Sequence, residues 1–224
     1  MVFIYIENMD SHLLNKNMVE GQIKPIGGMK KNILDAFSSI NRDDFVPKNL
    51  KDNSFSEVNL FLKRDRFVLK ANLVAKVISA LNISNEENVL VIGSSTGYSS
   101  AIISRLAETV ISIEEDKELL NFSEEAVKKN GIDNVVFINT TMIEGCSEQG
   151  PFNAIIIEGV IDEVPPKILN QLDHNGRLIA MINDSGISNV IEYQKKNNTF
   201  TERFLFNCSA PKLKSFDKRK SFSF

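Results

Sequence analysis

Asn88-Val-Leu-Val-Ile-Gly-Ser-Ser-Thr-Gly-Tyr-Ser-Ser100 is the stretch that decides how the chain is read. Val89 to Ile92 is a short unbroken apolar run, which predicts a strand buried on both faces of a parallel sheet. Gly93 and Gly97 bracket a small polar turn, and Tyr98–Leu106 then carries a helical pattern. A second apolar run, Val110–Ile113, follows and ends at Glu114. Strand, glycine turn, helix, strand and terminal acid together make a βαβ unit of the nucleotide-binding kind. Glycine lets the backbone approach a ligand closely, and a carboxylate accepts two hydrogen bonds from a ribose diol. The competing reading is an ordinary doubly wound turn whose acid merely ends a strand.

Upstream of this unit, residues 7–24 carry Met9, Leu13, Leu14 and Met18 at helical spacing, until Pro25 and Gly27-Gly28 break the run. Asn32–Ser39 predicts a second amphipathic helix, Arg42–Pro47 a turn, and Leu73–Leu81 a third helix. Residues 48–70 have no clean period and hold a dense charged cluster, Lys63, Arg64, Asp65, Arg66 and Lys70. The N-terminal third therefore reads as a helical cap. Downstream, Lys117–Lys129 is helical and stopped by Gly131, and Val135–Ile138 and Phe152–Ile157 are further strands. Pro165-Pro166 opens a helix expected to reach Leu172, and Arg177–Ile182 is a fifth strand. Val190–Gln194, Phe200–Leu205 and Ser221–Phe224 alternate apolar and polar residues, as antiparallel edge strands do. The basic tail from Lys212 to Lys220 would suit contact with nucleic acid or an anionic partner, but its interleaving with Phe216, Phe222 and Phe224 favours an edge strand or strap packed on the domain. The whole specifies one α/β domain with a mostly parallel sheet.

Composition narrows the function classes. With 224 residues the chain can bury one sizeable core, and its net charge of −3 argues against nucleic acid as the main partner. No window of about eighteen apolar residues exists, so no membrane partner is expected. The start, MVFIYIENMD, lacks the features of a secretory signal. Cys146 and Cys208 have no C-x-x-C spacing, and His12 and His174 stand alone, so no metal site is expected. Isolated cysteines suit a reducing compartment, with the cytoplasm as default.

The spelling of the turn separates two kinds of nucleotide site. Dinucleotide dehydrogenases use G-x-G-x-x-G, whereas Gly93-Ser-Ser-Thr-Gly97 resembles the G-x-G-x-G motif of class I methyltransferases, with Ser95 at the middle glycine. Further motifs follow in order. Met18-Val-Glu-Gly-Gln-Ile23 is similar to M-V-x-x-Q-I, and Arg42-Asp-Asp-Phe-Val-Pro47 to V-P-R-x-x-F-V-P. Val91–Tyr98 is similar to E-I-G-T-G-S-G-Y, Pro151–Ile157 to A-P-Y-D-x-I-I, and Val164–Leu178 to I-P-x-x-L-x-x-Q-L-x-x-G-G-R-L. From about Met18 to about Ile182 the chain resembles the protein-L-isoaspartate O-methyltransferases. The resemblance implies a Rossmann-like, doubly wound, mostly parallel sheet with antiparallel C-terminal strands. Residues 1–84 would form the cap and substrate loop, and 85–224 the S-adenosylmethionine-binding core. It also implies methyl esterification of isoaspartyl carboxylates in damaged proteins, a protein-repair reaction with a protein or peptide as acceptor. Two alternatives are a different acceptor and a catalytically degenerate binding homologue.

The departures fall where that chemistry would sit. The family loop G-x-G-Q-T-I-S-Q-P aligns with Lys63–Ala71, so Phe67 replaces the threonine, Leu69 the serine and Ala71 the proline. Arg64, Arg66 and Lys70 are then candidates to hold the substrate carboxylate, since a guanidinium suits a carboxylate; a solvated charged surface is the competing reading. A carboxylate of pKa near ~4 is already ionised at neutral pH, so alignment rather than a strong base is the requirement. For the cofactor, the resemblance implies backbone contacts at Gly93, Ser94, Ser95 and Gly97. Glu114 would hold the ribose, with Glu115 as rival. Thr141 would reach the adenine, beside Met142, and Ile113 and Ile143 flank the ring or simply pack the core. Thr141 stands at the family's adenine-contacting aspartate, and Asn153 at another aspartate. Glu158 ends the fourth strand, where it faces donor or acceptor or caps a loop.

Overall fold

A computed structural model describes residues 11–197 and 199–217. Helix α1 covers 11–18 of the described residues and widens into a π turn at Val19–Ile23 and a 3-10 turn at Lys24–Ile26. Gly27 and Gly28, both at positive φ, end it, as the sequence predicts. Helix α2 (Lys31–Ser39) buries Ile33, Ala36 and Phe37. Strands β1 (Leu60–Phe61) and β2 (Phe67–Val68) form a two-stranded hairpin of their own. Helix α3 (Ala71–Leu81) follows, then β3 (Asn88–Ile92), α4 (Tyr98–Ser104), β4 (Thr109–Glu114), α5 (Lys117–Lys129) and β5 (Val135–Asn139). Strand β6 (Phe152–Ile161), the short helix α6 (Pro166–Leu169), β7 (Leu172–Asp184), β8 (Ile187–Lys196) and β9 (Thr199–Cys208) complete the series.

The main sheet has the order β5-β4-β3-β6-β7-β8-β9. Pairings from β5 through β7 are parallel, and β8 and β9 are added antiparallel. This is the mostly parallel, doubly wound α/β architecture expected, with antiparallel C-terminal strands. The apolar run Val89–Ile92 is fully buried, because β3 is central and flanked by β4 and β6. Strand order reverses direction between β3 and β6, and the crevice at the carboxyl ends of such strands is where open α/β sheets bind ligands.

Four sequence expectations need correction or fall outside the description. The helix opened by the proline pair ends at Leu169, not Leu172, because Leu172 already pairs with Phe152 as the start of β7. Residues 48–70 contain the β1–β2 hairpin, which two-residue strands cannot announce by periodicity. Strand β6 runs on to Ile161 through an irregularity between Ile156 and Val160, so Glu158 and Gly159 lie within it. The strand expected at Ser221–Phe224 lies outside the described residues.

Beyond Ile157 the β3 side of β6 is vacated by the glycine turn, and residues 211–217 take the place as a strap. Val160 N–H donates to Pro211 O (2.9 Å) and Leu213 N–H to Val160 O (2.8 Å). The strap ends in a 3-10 turn at Lys214–Phe216 that buries Phe216. A strap packed on the domain is one of the two forms foreseen for this basic and aromatic tail.

Arg42 joins the cap to this edge and is fully buried. Its Nε donates to Ser54 O (2.7 Å), its Nη2 to Leu69 O (2.7 Å), and the guanidinium lies 4.5 Å from the Tyr98 ring centroid. A lysine has no planar fork with which to reach both carbonyls. Arg42→Lys is therefore expected to lower the unfolding free energy by roughly 2–4 kcal/mol, through carbonyls left buried and unsatisfied. Urea denaturation measures this, and a loss below about 0.5 kcal/mol would contradict it.

Candidate functional site

The glycine turn adopts the left-handed backbone three times, at Gly93 (φ 79°), Ser95 (φ 53°) and Gly97 (φ 82°). Gly97 opens α4 against α5 and β5: an added Cβ would lie 3.0 Å from Ser123 Cβ and 3.1 Å from Phe137 Cζ. Ser95 accepts a conformation that a side chain disfavours. The strained turn aims its backbone N–H at the end of β4.

That N–H donates to Glu114 Oε2 at 2.9 Å, and Asp116 N–H donates to Oε1 at 3.0 Å. Glu114 is 0% exposed. Its remaining partner is Arg66, whose Nε reaches Oε1 at 3.1 Å and whose Nη2 reaches Oε2 at 2.5 Å. Arg66 is buried too, so this is a two-pronged ion pair sealed inside the protein. Sequence reading singled out both residues and assigned them to different ligands. Their pairing was invisible because 48 positions separate them.

The other charged candidates of the loop diverge. Arg64 is exposed and bridges to Asp116 (2.9 Å) and Glu118 (3.2 Å) at the start of α5. Lys70 precedes α3 and lines a separate groove with Lys76 and Phe206. Leu69 is buried, and its carbonyl serves Arg42. Asn153 has a structural role, accepting from Asn88 N–H (2.9 Å) where β3 begins.

Several of the predicted catalytic and cofactor residues divide between two spaces, whereas Gly97 and Glu114 line neither. Gly93, Ser94, Ser95, Leu69 and Glu158 line an inner cavity of only about 10 Å³. Glu115, Thr141 and Ile143 line an open cleft of about 1060 Å³, whose far wall is the strap at 214–217. Met142 sits at the boundary, buried, and its N–H donates to Glu115 Oε1 at 2.8 Å. Glu115 Oε2 accepts from Ser215 Oγ at 2.6 Å. Ile113 is fully buried in the sheet, as core packing requires. Among the described residues no group of three or more His, Cys, Asp or Glu is placed to hold a metal ion, and no helix is long and apolar enough to cross a membrane.

Glu158 supplies the carboxyl group that lines the inner cavity. Burial pushes its carboxyl up to about 7, against the pull of the Ser99 hydroxyl and of Arg66, with Glu114 adding to the rise. Ser99 Oγ donates to its Oε2 at 2.5 Å. Burial also raises the Tyr98 hydroxyl to about 12, while Arg42 works in the opposite direction.

Comparison with known proteins gives a consistent result. The family described as protein-L-isoaspartate(D-aspartate) O-methyltransferase matches residues 11–208. A protein-L-isoaspartate O-methyltransferase of Thermosipho melanesiensis is 29% identical over 183 residues, covering 80% of this chain and 92% of the relative. One from Myxococcus xanthus is 32% identical over 154 residues, covering 69% and 73% respectively. Among solved structures, a Plasmodium falciparum protein assigned as a protein-L-isoaspartate O-methyltransferase, in complex with S-adenosyl-L-homocysteine, superposes with a TM-score of 0.76. It covers 92% of this chain and 98% of its own at 20% identity, a likeness that speaks for the fold alone.

The raised Glu158 carboxyl fixes the sign of a pH effect. A group whose pKa is higher in the folded state adds stability fully below its unfolded value, about 4.3, and loses it as pH rises toward 7. Glu158→Gln does not titrate. Its stability relative to the wild type is expected to grow by roughly 2–3 kcal/mol between pH 5 and pH 8. Urea unfolding at both pH values checks this, and a difference that stays flat would contradict it.

Proposed function

The chain belongs to the protein-L-isoaspartate O-methyltransferase family, whose members use S-adenosylmethionine, and from that premise we propose that the carboxyl edge of β3, β4 and β6 is its donor site. The acceptor in this reading is an isoaspartyl carboxylate of a protein or peptide. The observation that supports it most is Glu114. It is an acid at the end of the second parallel strand, its oxygens oriented by the N–H groups of Ser95 and Asp116. In this reading Glu114 is the ribose acid. Gly93, Ser94, Ser95 and Gly97 are the backbone cradle, and Glu115, Thr141 and Met142 border the base. Glu158 stands on the side of the reacting groups, and Leu69 forms the wall of the substrate loop.

The chemistry of the cavity suits a polar ligand. The hydroxyls of Ser94, Ser95 and Thr96 are buried without a hydrogen-bond partner, which native interiors seldom tolerate. Its size does not suit one. Ligand sites of this kind occupy about 300–1,000 Å³, against about 10 Å³ in the inner cavity, although the outer cleft measures about 1060 Å³. As closed, with Glu114 already paired to Arg66, the inner cavity does not admit S-adenosylmethionine.

One observation favours a second reading. Loss of the loop hydroxyls at Phe67 and Leu69, together with the Arg66–Glu114 pair, is what a homologue that keeps the fold without the reaction would carry. Labelled methyl transfer from S-adenosylmethionine to a synthetic isoaspartyl peptide separates the two. Base-labile label is expected with the wild type, reduced at least tenfold in Glu114→Ala. Equal transfer by both proteins would remove Glu114 from the site, and no transfer by the wild type would favour the degenerate homologue.

A further inference from the structure

Three segments distant in sequence converge on the glycine turn and fill the space in front of it. A Cβ added to Gly93 would lie 3.2 Å from Met142 Sδ, 3.4 Å from Arg66 Nη2 and 3.5 Å from Leu213 Cδ1. One added to Gly159 would lie 2.6 Å from Leu213 Cγ and 2.8 Å from Phe67 Cζ. Both glycines admit close approach, and what approaches is the chain itself. We propose that Arg66 and the strap 211–217 form an intramolecular lock on the cofactor cleft, the Arg66 guanidinium occupying the carboxylate of Glu114 that a ribose diol would otherwise engage.

This proposal rests on the reading of the cleft as an S-adenosylmethionine site. The lock has one strong bolt and several weak fasteners. The bolt is the buried pair of Arg66 with Glu114. Outside it, Lys214 of the strap bridges to Asp65 at the hairpin tip (2.8 Å), Ser215 holds Glu115, and Arg64 holds Asp116 and Glu118. These are exposed contacts, and exposed ion pairs contribute little. The hairpin that carries Arg66 pairs through two residues per strand, and its tip holds Arg64 (φ 56°) and Asp65 (φ 59°) in the left-handed region. Beyond Leu69 the chain is anchored by Arg42, so the hairpin is held at its base and pinned lightly at its tip. Opening moves Arg66 off Glu114 and exposes the unpartnered hydroxyls of Ser94, Ser95 and Thr96 to the incoming ligand. The apparent affinity of such a protein is its intrinsic affinity multiplied by the open fraction, so weakening the lock tightens binding.

Titration calorimetry with S-adenosylhomocysteine on the full chain tests this. Arg66→Ala is expected to bind at least tenfold more tightly than the wild type, and Arg66→Lys, with the charge but no fork, to fall between them. The paired change Lys214→Ala with Ser215→Ala leaves the buried pair intact and folds without an uncompensated charge. It is expected to tighten binding about two- to fivefold. Adding Glu114→Ala to Arg66→Ala is expected to abolish the gain. Equal affinity in the wild type, Arg66→Ala and the strap variant would overturn the lock while leaving the cofactor reading intact. Binding by none of these proteins would overturn that reading and the lock with it.

Discussion

A buried carboxylate needs compensation, and in this protein Arg66 supplies it to Glu114. Taking two such charges out of water is costly, and only close, multiply hydrogen-bonded geometry offsets the loss. Here both oxygens of Glu114 are engaged, by two guanidinium nitrogens and two backbone N–H groups. The consequence is architectural. A hairpin with minimal pairing of its own is fixed onto the end of β4, and the left-handed turn at Ser95 is held in the one orientation that presents its N–H to the carboxylate.

The rest of the edge follows from that fixation. Phe67, next to Arg66, is carried onto Gly159, where Leu213 of the strap meets it. The irregular passage of β6 through Glu158 and Gly159 leaves Val160 free on the β3 side, and the strap pairs there. Glu115 ties the strap's Ser215 to the Met142 N–H, between the small inner cavity and the large outer cleft. In the proposed reading, the parts of a cofactor site lie at this edge and the chain's own residues close it. The acid and the turn are held together here by an internal occupant, Arg66.

Much of this was legible in the sequence and some of it was not. Val89–Ile92, Gly93, Gly97 and Glu114 announced the βαβ unit because a buried strand and a tight turn each demand particular residue types. The antiparallel finish showed as alternation in Val190–Gln194 and Phe200–Leu205. The hairpin did not show, since Leu60–Phe61 and Phe67–Val68 are too short to carry a period. The burial of Arg66 was masked by its neighbours: Lys63, Arg64 and Asp65 are exposed, so the cluster resembled a solvated surface. The only local hint was the apolar run Phe67-Val-Leu69 beside it. Glu158 ended a strand on paper because β6 resumes only after an irregularity, where Val160 and Ile161 pair with Met181 and Ile182 of β7 and the strap joins the other side more than fifty positions downstream.

The most direct test of the central claim is the coupling between Arg66 and Glu114, measured as a double-mutant cycle of unfolding free energies with Arg66→Met, Glu114→Gln and the double variant. A sealed, two-pronged pair predicts a favourable coupling of at least about 2 kcal/mol, with the double variant recovering much of what either single variant loses. A coupling within about 0.5 kcal/mol of zero would show that the two side chains do not depend on one another, and the account of this edge would fail with it.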